Sequence, residues 1–215
     1  MRLLLATALG AFLVTSGGCF NTTRLREDVA GMQDPVFPDE RRQGIAGLQW
    51  RPEGKQEEYK AQFRQIAVTD SSPLVRAQAV RALNQARDPG AEPIYLTAIR
   101  ETKPAVQLEG AKALRHAPDE RAIGRLTELA SNDQNNRDVR VWAARALGAY
   151  PRLDVARTLV ALLETKDFSV SFEARSSLRF MTGKDFHYDT SLWLNWLTRP
   201  AGGSFASSGP TSRPW

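Results

Sequence analysis

PLVRAQAVRAL at residues 73–83 returns as PAVQLEGAKAL at 104–114, RDVRVWAARAL at 137–147 and FSVSFEARSSL at 168–178, with a weaker copy, PDERRQGIAGL, at 38–48. The closing leucines stand at 48, 83, 114, 147 and 178, a period of 31 to 35 residues. Periods in that range mark one supersecondary unit stacked on copies of itself. Within each copy the valine, the small residue four later and the pair seven and eight later share one helical face. Examples are Val75, Ala79, Ala82 and Leu83, then Val106, Gly110, Ala113 and Leu114. The small residues admit a neighbouring helix at close range, and the leucine fills the space between layers.

Second helices are predicted between the copies, over Glu57–Ala67, Ala91–Arg100, Glu120–Ala130 and Leu153–Glu164. The last carries Val155, Leu159, Leu162 and Leu163 in helical register. Prolines and polar turn residues at Asp70–Pro73, Asp88–Gly90, Ala117–Asp119 and Tyr150–Pro151 fall at the helix ends. Proline is tolerated in a first turn and breaks a helix interior. After the final copy, Asp189 or Thr190 can cap a short helix whose Leu192, Trp193, Trp196 and Leu197 would close the open end of the array.

This pattern resembles HEAT repeats, particularly the short bacterial subtype named for phycobilisome lyases, whose second helix reads roughly V-R-x-x-A-x-x-A-L. The resemblance spans about residues 34 to 182. The Pro38 copy lacks the valine and the Phe168 copy has Ser171 where the arginine belongs, departures expected of terminal units. It implies an all-α fold, an α-solenoid of about five stacked HEAT-like helix pairs with a short C-terminal capping helix, over residues 35–198.

The first 18 residues read as an export signal. Met1-Arg2 is followed by an apolar run from Leu3 to Val14 and by Thr15-Ser16-Gly17-Gly18 ahead of Cys19. The run is too short to span a bilayer of roughly 30 Å. Cys19 is the single cysteine of the chain, so no disulfide forms within it. This segment is similar to a bacterial lipoprotein signal, although Ser16 stands where leucine is usual. The resemblance implies a lipid on Cys19, a tether over residues 19–34 and a place on the cell membrane or outer membrane, facing the periplasm or exterior. Residues 199–215, rich in Gly, Ser and Pro, are expected to be disordered in isolation.

Catalytic chemistry requires converging titratable groups, and few are present. His116 and His187 are the only histidines, no second cysteine supports a zinc site, and neither a nucleophile elbow nor a phosphate loop occurs. Asp185-Phe186-His187-Tyr188-Asp189 offers alternating ligands for a divalent metal, but a turn that positions the last helix accounts for it more simply. No catalytic residue, cofactor, metal or small-molecule substrate is expected.

The surface is more informative. Six positions after each valine the copies read Arg81, Lys112, Arg145 and Ser176, which stacks a cation on three successive repeats. Two positions after it they read Ala77, Leu108, Val141 and Phe172. Together they suggest a groove with a basic edge and an apolar floor, although Glu109 and Glu173 stand ready to pair with the cations. The formal charge is +5, and +4 without the first 18 residues, which with no interleaved stacking aromatics makes nucleic acid an unlikely partner. The expectation is a lipid-anchored scaffold of the cell envelope that binds another envelope protein or peptide through this groove. The alternatives are a HEAT-like lyase or other enzyme acting on a bound substrate, or polyanion binding through the basic row. Reversing all three cations to Glu is expected to abolish partner capture with folding intact.

Overall fold

The computed structural model describes residues 17–199, with side chains from Thr22 onward. The predicted signal up to residue 16 and the tail from residue 200 lie outside them. Eleven α-helices follow in order: α1 (Gly17–Met32), α2 (Pro38–Leu48), α3 (Glu57–Thr69), α4 (Pro73–Ala86), α5 (Glu92–Ala98), α6 (Pro104–His116), α7 (Ile123–Ser131), α8 (Arg137–Leu147), α9 (Leu153–Leu162), α10 (Phe168–Thr182) and α11 (Thr190–Thr198). No strand occurs among the described residues.

Local chemistry sets the helix ends. Pro38, Pro73 and Pro104 open α2, α4 and α6, where a missing N–H costs nothing. At α8, α10 and α11 side chains cap instead: Asn136 accepts from the Asp138 and Val139 amides, Asp167 from Ser169 and Asp189 from Leu192. Gly183 ends α10 with φ of 69°, a left-handed conformation that glycine adopts without strain.

The even-numbered helices are the sequence copies. They form one continuous layer, α2 to α4 to α6 to α8 to α10, while α3, α5, α7 and α9 make the other layer and touch one another far less. Val75, Ala79, Ala82, Leu83, Val106, Ala113, Leu114, Val139, Ala143, Ala146, Leu147, Val170, Ala174 and Leu178 are all inaccessible to solvent, so the shared stripe is the core. Trp193 and Leu197 of α11 pack onto α9, closing the odd layer at its C-terminal end.

The motif arginine ties one repeat to the next. Arg41 forks onto Asp70 at 2.7 and 3.1 Å, Arg76 onto Glu101 at 2.8 and 2.6 Å, and Arg140 reaches Thr165 at 3.2 Å. Each acceptor lies in the turn entering the following repeat helix. Ser171 occupies this position in α10, which no further repeat helix follows, and its hydroxyl turns back to Phe168 O at 3.1 Å.

One expectation is corrected. The segment read as a tether, residues 19–34, lies within α1 up to Met32, and α1 docks along α2 as the first helix pair. Leu25 and Val29 pack on the core and Met32 is fully buried, while Arg51 holds Asp28 at 2.8 Å. The contact runs backbone to backbone: a Cβ on Gly44 would lie 2.2 Å from Met32 N and 2.3 Å from Asp28 O. Such an interface needs glycine more than a hydrophobic stripe, and α1 has little stripe to read.

Candidate functional site

Arg81, Lys112 and Arg145 fall on α4, α6 and α8 at one level of the even layer, and a chain of contacts joins them. Arg81 Nη2 donates to Glu109 Oε1 at 2.6 Å, and Lys112 Nζ meets the same oxygen at 2.8 Å. Arg145 forks onto Glu173 of α10, both bonds 2.9 Å. Trp142 bridges the two pairs, with Lys112 Nζ 5.2 Å and the Arg145 guanidinium 4.7 Å from its ring centroid. A ladder of charged groups thus crosses four successive repeat helices, with Glu109 between Arg81 and Lys112 and Trp142 between Lys112 and Arg145.

The ladder is layered in depth. The Glu109 side chain is 4% exposed while that of Arg81 is 49% exposed, and Arg145 at 39% stands over Glu173 at 10%. Carboxylates lie beneath and cations face out. Burial raises the Glu109 carboxyl, but hydrogen bonds from Arg81 and Lys112 outweigh it and hold the group below its ordinary value. The acid therefore stays ionised.

Sequence reasoning missed Arg115, near the C-terminal end of α6. Its Nη1 donates to the carbonyl of Arg145 at 3.1 Å, and its guanidinium stands 5.2 Å from the Phe180 ring centroid on α10. Arg115 makes no ion pair among the described residues. Its sequence signal was weak because the equivalent positions in the flanking copies are Asn84 and Gly148, and an arginine returns only at Arg179 in α10.

The apolar floor is also corrected. Ala77 is buried, and Leu108 and Val141 are half-buried against the core, because this stripe faces the next repeat helix. Phe172 alone of the four is exposed, since among the described residues no repeat helix follows α10. It sits instead with Phe168 and Tyr188, ring centroids 6.1 Å and 6.2 Å from Phe168.

The Asp185–Asp189 string is a turn. Asp185 takes Arg175 at 3.0 and 2.7 Å, Asp189 caps α11, and the His187 carbonyl accepts from Trp193 Nε1 at 3.1 Å. Phe186 packs edge-on to Trp193 at 5.0 Å. His116 lies apart, its Nδ1 3.1 Å from Asn84 Oδ1. Among the described residues no three His, Cys, Asp or Glu side chains group so as to hold a metal ion. A shallow cleft by the turns before α8 and α10 is lined by Arg137, Arg140, Lys166, Glu164 and Asp167. Two of its cations are already engaged, Arg137 with Asp167 at 3.2 Å and Arg140 with Thr165.

These features define an all-α solenoid of stacked, HEAT-like helix pairs. The family model described as HEAT repeats matches residues 61–137, which runs from α3 to the start of α8. Among solved structures, the Escherichia coli protein YibA superposes with a TM-score of 0.61 at 22% identity, over 83% of this chain and 66% of its own. An engineered protein superposes with a TM-score of 0.57 at 18% identity, over 73% of this chain and 78% of its own. At these identities the likeness is one of fold. No curated protein matches the chain in sequence.

Proposed function

We propose that this chain is a protein-binding scaffold of the bacterial cell envelope, held to a membrane by a lipid on Cys19, that captures an envelope protein or peptide on its even-helix face without turning it over. The observation that carries the binding role is the ladder: cations on three consecutive repeat helices, Arg81 and Arg145 half-exposed and Lys112 less so, fixed in place by buried carboxylates. A solenoid presents such a row at repeat spacing over an extended surface, and charged groups held in advance steer and orient a partner.

The anchor rests on the lipoprotein-like signal ahead of Cys19. No described helix is long and apolar enough to cross a membrane. Because α1 is docked on the solenoid from Leu25 onward, a lipid on Cys19 would hold the first repeat close to the bilayer. Several acyl chains make such attachment stable, where one binds only marginally.

Intact-mass analysis of protein purified from its native membrane, beside a Cys19→Ala variant, tests the anchor. The expected result is a chain beginning at Cys19 with added acyl mass, lost in the variant; an unmodified chain removes the anchor. Crosslinking in the envelope tests the binding role. Neutralising the ladder as a set, R81Q/E109Q/K112Q/R145Q/E173Q, is expected to abolish partner capture with folding retained. Unchanged capture would show that the ladder is not the binding face.

A further inference from the structure

Arg115 differs from the other cations of this face in being a half-buried guanidinium that forms no ion pair with an acid among the described residues. Every other cation of the ladder leans on a carboxylate: Arg81 and Lys112 on Glu109, Arg145 on Glu173. Arg115 has the carbonyl of Arg145 and the face of Phe180, and these occupy only one of its five N–H donors. The carbonyl belongs to the last turn of α8, whose partial negative charge favours a cation nearby, so the arrangement fixes the guanidinium in one place without neutralising it. Burial, and then the neighbouring Arg145, push its pKa down from the ordinary arginine value, and Glu173, which forms no ion pair with it, offsets them only in part.

Counting this group, the face sets four cations, Arg81, Lys112, Arg115 and Arg145, against two acids, Glu109 and Glu173. We propose that Arg115 is the recognition point for a carboxylate of an acidic, extended peptide segment laid across α6, α8 and α10, with an apolar residue of that segment against the exposed part of Phe180. The planar fork of arginine matches a carboxylate in two-point contact. Phe180 is 46% exposed, which leaves apolar surface beside the guanidinium. Nucleic acid fits less well, because binding of a strand calls for free aromatic faces on which bases stack. The Trp142 ring already carries Lys112 and Arg145, and Phe180 carries Arg115.

This inference rests on the even-helix face being the binding face, and its test separates the two. The probe is a fluorescein-labelled peptide alternating Glu with Leu, followed by fluorescence anisotropy with the full chain, beside its Gln-for-Glu counterpart and a single-stranded oligonucleotide. The wild type is expected to bind the Glu peptide in a salt-sensitive manner and to bind the Gln peptide at least about tenfold more weakly. Arg115→Met keeps the stem on Phe180 and is expected to lose at least about tenfold in affinity for the Glu peptide. Arg115→Lys should retain part of it, and Arg157→Gln, on the exposed face of α9, should bind as the wild type does. Equal binding by Arg115→Met and wild type, no binding by wild type, or tighter binding of the oligonucleotide would each overturn the proposal. If envelope capture falls with the neutralised ladder but not with Arg115→Met, the scaffold reading stands and this inference fails.

Discussion

Glu109 carries more than its place on a helix suggests, since it is the single acceptor for cations from two repeats. Replacing it with Gln leaves Arg81 and Lys112 without their counter-charge and is expected to cost about 2 kcal/mol, between the values for exposed and buried pairs, read as a lower urea midpoint. The pH dependence follows from the same contact. Its folded pKa lies below the ordinary 4.5, so the unfolded chain takes up the proton first as pH falls. The stabilisation is complete above pH 4.5 and is lost as pH drops through the folded value. Asp70 acts in the same sense: burial raises it, but Arg41 and the Ser72 amide outweigh that. In Glu109→Gln the acid limb of the stability curve should be shallower than in wild type; an identical limb would show that the carboxylate contributes nothing there. The pairing also overturns the expectation that charge reversal of Arg81 and Arg145 spares folding. A new carboxylate at either site would face a buried one, so paired neutral substitutions are the informative ones.

Helix by helix, α1 depends most on a close fit. Gly44→Ala places a methyl group inside the backbone of Met32 and Asp28, and the overpacking is expected to cost about 1–3 kcal/mol. Hydrogen exchange should then accelerate in α1 while α5 to α10 hold their protection. Gly124→Ala in α7 is the control: its Cβ meets nothing within 4 Å, and the gain in helix propensity should leave stability level or raise it by up to about 1 kcal/mol. Protection of α1 unchanged by Gly44→Ala would contradict the close docking. Side chains explain why this helix escaped the sequence reading. Leu25, Val29 and Met32 carry its contacts among polar neighbours, and α2 answers them with Gly44 and Gly47, which no periodicity of apolar residues reveals.

Across the array, each repeat packs only on its neighbours, so stability should be graded along the chain. Trp193 is fully buried and links α11 to α9 and to Phe186. Trp193→Ala is expected to cost about 3–5 kcal/mol and to loosen α9 to α11 first, with α3 to α6 exchanging last; uniform loss of protection along the chain would show one cooperative unit instead.

Helix pairs, their limits within a few residues and the buried stripe of each copy were all legible in the chain, because burial of one face writes a period into the residues of that face. The cations at 81, 112 and 145 were legible for the same reason, as was the availability of Glu109 and Glu173. What a single helical wheel lacks is the second neighbour. In a stacked array each repeat helix is covered from both sides, and this turned Leu108 and Val141 from a floor into packing and left Phe172 exposed at the end. The tie from Arg41 to Asp70, the Trp142 sandwich, the seat of α1 on Gly44 and the lone charge of Arg115 all join groups brought together by the rise of the solenoid. Their partners are set by three-dimensional stacking, which no residue type or spacing along one helix records.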